Sequence, residues 1–390
     1  MSRILAALIG GAAGAMALMG MIMVFLWFCL CQNRSISRTS ETGSSDPSVQ
    51  VGRNIGHELS LAGGVSLPPE LHEARSFTME DLALATKNFN DINFIGEGKF
   101  GKVYKGFLHD GMIVAIKKRL GMPTREFFEE VRYLSSIRHR NLVSLLGYCQ
   151  ENEQQMLIYE YITNGSVSSH LYGAGQVSHE KIEFKRRISI ALGAAKGLAH
   201  LHSLSPHLVH KDFKTANVLV DETFIAKVGD AGLHNLLGGV DVAGPSSRMM
   251  ADNVFLAPEV KEFGRFSEKS DVYSFGVFLL ELVSGREADQ SVSSGLDQKL
   301  VEWAQNYQDS SNISSIIDRK MGRSFTTEGM KEFIQLTVHC VEFSSERRPT
   351  MNHVVAELDR ILEKEMSLTT IMGEGTTTVT LASQLFTTLR

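Results

Sequence analysis

The chain has 390 residues, a formal net charge of −5, 43% hydrophobic residues and 21% charged ones. That balance excludes an intrinsically disordered chain and gives no general electrostatic pull toward nucleic acid. Its four cysteines, Cys29, Cys31, Cys149 and Cys340, show neither a disulfide framework nor zinc-ligand spacing, so the bulk of the chain reads as intracellular.

Residues 4–31 carry no charge across 28 positions, whereas about 20 apolar residues suffice to cross a bilayer as a helix. A cleaved signal has a shorter apolar stretch ending in small residues. Here the end is bulky, from Val24 to Phe28, so the run predicts a transmembrane helix. Trp27 falls near the boundary that aromatic rings prefer, and Arg34 and Arg38 beyond it favour a cytoplasmic C-terminal side. The expected placement is a single pass, in the plasma membrane. Gly10 and Gly14, extended by Ala6, form a small-residue stripe. It would permit a homo- or heterodimer through the span, or simply reflect the abundance of small residues in spans. Cys29 and Cys31 either accept acyl chains at the membrane edge or end the span as small apolar residues.

Residues 32–74 are rich in Ser, Gly, Thr and Pro and predict a flexible linker of roughly 35 Å root-mean-square reach. A folded block follows over 75–365. It starts with a helix that Thr78 caps, with Asp81 three residues later and Leu82 and Ala85 on its apolar side. Residues 366–390 are threonine-rich and predict a disordered tail.

Gly96-Glu-Gly-Lys-Phe-Gly101 is a G-x-G-x-x-G loop. In a dinucleotide-binding turn these glycines open a helix. Here Lys102 to Phe107 alternates like a strand, Asp110-Gly111 marks a hairpin, and Met112 to Lys117 is a second strand. Glycines in a strand–loop–strand let backbone N–H groups approach phosphates with no Cβ in the way. Lys117 ends the second strand and places an ammonium under the loop, for α/β-phosphates.

From Phe77 through Val103-Tyr-Lys-Gly106, His139-Arg-Asn-Leu-Val143 and Gly147-Tyr-Cys149, the sequence resembles the plant receptor-like protein kinases over roughly residues 77–362. The resemblance implies an α+β, bilobal protein-kinase fold with a β-rich small lobe and a helical large lobe, preceded by the one transmembrane helix. It implies ATP and Mg²⁺ as cofactors, and a protein substrate or partner receptor kinase. Gly96, Gly98, Gly101, Val103, Ala115 and Lys117 match nucleotide-binding positions, and the backbone at Glu160 and Tyr161 matches the hinge. Glu130 matches the carboxylate that pairs Lys117, with Glu129 beside it as a surface residue. In His210-Lys-Asp-Phe-Lys-Thr-Ala-Asn217, Asp212 matches the catalytic base and Lys214 the cation for the transferring phosphoryl group. Asn217 and Asp230 match the magnesium ligands. Glu259 matches a structural partner of Arg348, and Asp271 an anchor of the catalytic-loop backbone. His200, His202, His207 and His210 read as helix-end and loop histidines rather than a metal cluster.

Four positions depart from the family pattern. Lys211 replaces an arginine and loses its two-pronged grip on phosphate. Ala231 replaces a phenylalanine that would pack between His210 and Leu134. An ungapped count puts Asp252 where a threonine would bridge Asp212 and Lys214, and a second carboxylate there would perturb the base. Between Leu233 and Leu256 the only hydroxyl side chains are Ser246 and Ser247. The sequence therefore predicts a membrane-anchored ATP/Mg-dependent protein serine/threonine kinase, weak in turnover. The alternative is a nucleotide-binding pseudokinase acting as a signalling scaffold.

Overall fold

A computed structural model describes residues 74–119, 125–173, 181–233, 253–288, 299–307, 313–322 and 325–371. All of them lie in the compact unit Leu67–Arg390. The predicted span over 4–31, the linker up to residue 73 and Asp252 fall outside the described residues. Among the described residues no helix is long and apolar enough to cross a membrane.

The small lobe begins with strand β1 (Arg75–Ser76) and helix α1 (Met79–Thr86). Thr78 and Asp81 close a reciprocal capping box at the helix start, satisfying two backbone N–H groups that a helix leaves unpaired. Strands β2 (Phe94–Glu97), β3 (Gly101–Phe107), β4 (Ile113–Arg119), β5 (Leu145–Glu151) and β6 (Gln154–Glu160) complete a six-stranded sheet in the order β1-β5-β6-β4-β3-β2. All its pairings are antiparallel except β1 with β5. Alternation divides β4 between two environments. Val114 and Ile116 are buried with Phe77, Leu82 and Ala85 beneath α1, whereas Ala115 and Lys117 take the opposite face. Val103 of β3 pairs with Lys117, so Val103, Ala115 and Lys117 share one face. Helix α2 (Phe127–Ser136) buries Phe127, Val131 and Leu134 and leaves Glu129 exposed.

The large lobe is helical: α3 (Val167–Leu171), α4 (Phe184–Ser203), α5 (Pro258–Phe263), α6 (Glu268–Ser284), α7 (Leu300–Gln305), α8 (Thr327–Cys340) and α9 (Met351–Ile371). Helix α6 is buried from Ser270 to Ser284, as a helix apolar on nearly all sides must be. A short hairpin, β7 (Val218–Val220) with β8 (Ala226–Val228), lies on α4. Gly193 and Gly197 make that approach possible. A Cβ on Gly193 would stand 3.0 Å from Asn141 Nδ2, and one on Gly197 would stand 2.7 Å from the Asn141 carbonyl. Asn141 then ties the layers, donating from Nδ2 to Ala226 O at 2.8 Å and accepting from Val228 N at 2.9 Å. The helix forgoes about 1 kcal/mol of propensity per glycine to bring β8 this close.

Cys149 and Cys340 are buried core residues. The predicted boundary at residue 366 is corrected: α9 continues to Ile371. Threonine content suggested a tail, but 366–371 contains no proline or glycine, and Gly373 is the first strong helix breaker.

Candidate active site

The cleft is built from four short pieces of chain. The Gly98–Gly101 turn caps one side, with Gly98 N donating to Gly101 O at 3.0 Å. Lys117 projects from the β4 face shared with Val103 and Ala115. The segment from His210 to Asn217 and the turn from Gly229 to Gly232 supply the remaining polar groups.

Asp271, at the start of α6 and 1% exposed, organises the first of these segments. Its carboxylate accepts from His210 N at 2.7 Å and from Lys211 N at 3.0 Å, and His202 Nε2 lies 2.9 Å away. That pull suits the left-handed backbone of Lys211. His210 is wholly buried. Its Nε2 faces the Gly229 carbonyl at 2.9 Å and its Nδ1 accepts from Asp212 N at 3.4 Å, so the proton belongs on Nε2. Gly229 N in turn donates to Asn217 O at 2.8 Å. The two segments are thereby locked side by side. His202 and His210 serve these structural bonds, and among the described residues no group of three or more His, Cys, Asp or Glu side chains is placed to hold a metal ion.

Asp212 faces Lys99 Nζ at 2.6 Å and Lys214 Nζ at 3.7 Å. Asn217 Nδ2 donates to the Asp212 carbonyl at 2.8 Å. Asp230 is ion-paired with Lys117. Burial pushes the Asp230 carboxyl up, but Lys117, helped by His210 and Lys214, outweighs it and holds the group below the usual carboxylate range. An ionised Asp230 carboxylate, next in sequence to Gly229 whose N–H bonds Asn217 O, offers the hard oxygen donors that Mg²⁺ prefers.

Glu130 is not part of this constellation in the structure. It is half-buried on α2 and makes no ion pair with Lys117. Glu160 spends its side chain elsewhere, accepting from Ser144 N at 2.8 Å and from Lys227 Nζ at 3.0 Å. Its own N–H donates to Ser144 O at 3.0 Å. Lys105 Nζ lies 4.5 Å over the Tyr161 ring. Glu259 and Arg348 form a two-pronged pair at 2.7 and 2.9 Å in the large lobe. Lys211 Nζ stands 6.0 Å over the Phe266 ring.

Ala231 lines a cavity of about 30 Å³ together with Leu134, Val143, Leu145, Tyr159 and Asp230 among others. Leu134 also lies against Gly232, where an added Cβ would stand 2.5 Å from Leu134 Cδ2. His210 packs edge-on to Phe213 at 5.7 Å.

The resemblance groups Tyr159 with the hinge segment Tyr159–Ile162 and gives Lys99 no role of its own. Tyr159 stands next to last in β6 with its ring buried, and burial together with the Asp230 charge pushes its hydroxyl well above the usual tyrosine range. Its alternation with Leu157 was the available signal. Lys99 reaches Asp212 across 113 positions of sequence, and only its place at the tip of a glycine turn hinted at such reach.

The fold and this cleft define a protein kinase domain. The family described as protein tyrosine and serine/threonine kinase matches residues 90–358. Proline-rich receptor-like protein kinase PERK1 of Arabidopsis thaliana is 39% identical over 308 residues, covering 77% of this chain and 46% of the relative. A probable receptor-like protein kinase of the same organism is 37% identical over 348 residues, covering 85% of this chain and 71% of the relative. Among solved structures, the pseudokinase domain of BIR2, an immune regulator of the RLK/Pelle family, is similar with 32% identity and a TM-score of 0.62. That match covers 74% of this chain and 86% of the other. The chain belongs to the plant receptor-like protein kinases. It spans about half the length of the relatives PERK1 and PERK10, 46% and 45% respectively.

Proposed function

We propose that this chain is an ATP- and Mg²⁺-dependent protein serine/threonine kinase, slow in turnover. The observation that supports it best is the convergence of Lys117, Asp212, Lys214, Asn217 and Asp230 in one cleft beneath a glycine turn. Backbone N–H groups of the turn and Lys117 would hold the phosphates, and Val103 and Ala115 would line the base. Asp230 and Asn217 would hold the magnesium, which neutralises phosphate charge when bound. Asp212 would take the proton from a substrate hydroxyl as its oxygen bonds to the γ-phosphorus. The bond from that phosphorus to the β–γ bridging oxygen breaks, ADP leaves, and Lys214 screens the charge on the moving group. The predicted span over 4–31 would hold this domain on the cytoplasmic side of the plasma membrane.

A second reading, a nucleotide-binding pseudokinase that signals through partners, draws support from the pairing of Lys117 with Asp230 and from the Ala231 cavity. Phosphate incorporation from Mg-ATP by the purified full chain, beside Asp212→Asn, separates the two. Incorporation that disappears in the variant supports the kinase. Equal background in both proteins, with ATP still bound, sinks it and supports the scaffold.

A further inference from the structure

The Gly98–Gly101 turn presents Lys99 and Phe100 at its tip, and the two point to different jobs. Phe100 is only 4% exposed and belongs to the main core, with the Arg119 guanidinium 5.6 Å over its ring. Burying that ring pins the turn down into the cleft. Lys99, beside it, sets its ammonium 2.6 Å from Asp212 Oδ1. Lys214 Nζ approaches the other oxygen at 3.7 Å. Both oxygens of the carboxylate therefore face a cation. A base must come within about 2.6–3.2 Å of the hydroxyl whose proton it takes. Lys99 stands on one of the oxygens that would do so.

We propose that Lys99 is a nucleotide-gated latch on Asp212. Without nucleotide it occupies the carboxylate; with nucleotide its ammonium moves to the terminal phosphates and becomes one of their ligands. The inference rests on the nucleotide-binding reading above. Three features support the exchange. A lysine ammonium is a compact charge on a flexible stem, so it can change partner without moving the backbone. The pair is partly open to solvent, at 48% and 24% side-chain exposure, so breaking it costs little. A polyphosphate held by the same turn carries several negative charges against the single charge of Asp212, so the cation prefers it. The consequence is an order of events, in which the carboxylate is released for a hydroxyl once nucleotide is in place.

The test measures nucleotide binding by calorimetry on the full chain in detergent, using Mg-ATP and AMP as probes. Lys99→Met should weaken Mg-ATP binding about tenfold, the scale of one charge-assisted hydrogen bond, and leave AMP binding within about twofold. AMP lacks the terminal phosphates, so its retained binding also shows that the variant is folded. Lys99→Arg should keep most of the Mg-ATP affinity. The latch itself is read by a double-mutant cycle. Asp212→Asn should tighten Mg-ATP binding more, by about threefold, with Lys99 present than in the Lys99→Met background. If Lys99→Met binds Mg-ATP as tightly as the parent chain, the phosphate role is overturned. Equal gains from Asp212→Asn in the two backgrounds overturn the latch. A parent chain that binds neither probe removes the nucleotide reading and this inference together, whereas the first two outcomes leave that reading standing.

Discussion

Lys117 reaches Asp230, not Glu130. The β4 lysine thus spends its charge on the carboxylate proposed for magnesium, while the α2 glutamate that the family pattern pairs with it stands apart. Lys117→Met should leave Asp230 without its main stabilising cation and should lower Mg-ATP affinity by at least tenfold. Because both side chains retain some solvent contact, the loss of folding stability should be modest, about 1 kcal/mol. Urea unfolding and nucleotide titration of the same variant separate the two effects.

Glu130 gives the complementary case. It makes no ion pair with Lys117 in the structure, so Glu130→Ala should change stability by less than about 0.5 kcal/mol. If catalysis requires it to close onto Lys117, phosphate incorporation should nonetheless fall at least tenfold. A variant with full activity would show that Glu130 has no part in the reaction.

The cavity beside Ala231 makes Leu134 a sensitive position. Leu134 is 6% exposed and already borders unfilled space, so its neighbours cannot close over a truncation. Leu134→Ala should destabilise the domain by about 2–4 kcal/mol, seen as a lower urea midpoint with an unchanged slope.

Glu365 offers a pH test. It is buried on α9 and accepts from Thr326 N at 3.2 Å and from the Thr326 hydroxyl, at the start of α8. Burial pushes its carboxyl up, and the Thr326 bonds only partly offset this. A raised pKa means that the folded state binds the proton more tightly than the unfolded chain. Stability from this group is therefore greatest below the unfolded value of about 4.3 and declines as pH rises through the folded pKa. Relative to Glu365→Gln, the parent chain should gain stability between pH 7 and pH 5. Urea midpoints at the two pH values check the sign, and a constant difference would refute it.

The predicted membrane anchor has a simple readout. Removal of residues 1–31 should move the protein from the membrane pellet to the soluble fraction on cell fractionation. Persistence in the pellet would assign the attachment to another part of the chain.

Much of the fold was legible because local rules and tertiary packing agree. Thr78 and Asp81 announce a helix start and form it. Alternation in β3 and β4 puts Val103, Ala115 and Lys117 on one face, as strand geometry requires. Threonine content predicts a tail from residue 366, but 366–371 holds no helix breaker and α9 runs through it to Ile371.

By itself the sequence determined the family, the order of the elements and the identity of the polar residues that could meet in the cleft. These follow from periodicity, turn residues and motif spacing, all of which are local. Only the tertiary structure decided which charges meet. Lys117 and Asp230 are 113 positions apart, as are Lys99 and Asp212. Whether each lysine finds a glutamate, an aspartate or solvent depends on how deeply the glycine turn descends, where α2 rests against Gly232, and what space Ala231 leaves. Ion pairing falls off over a few ångströms, whereas local sequence rules place an element but not its neighbour to that precision.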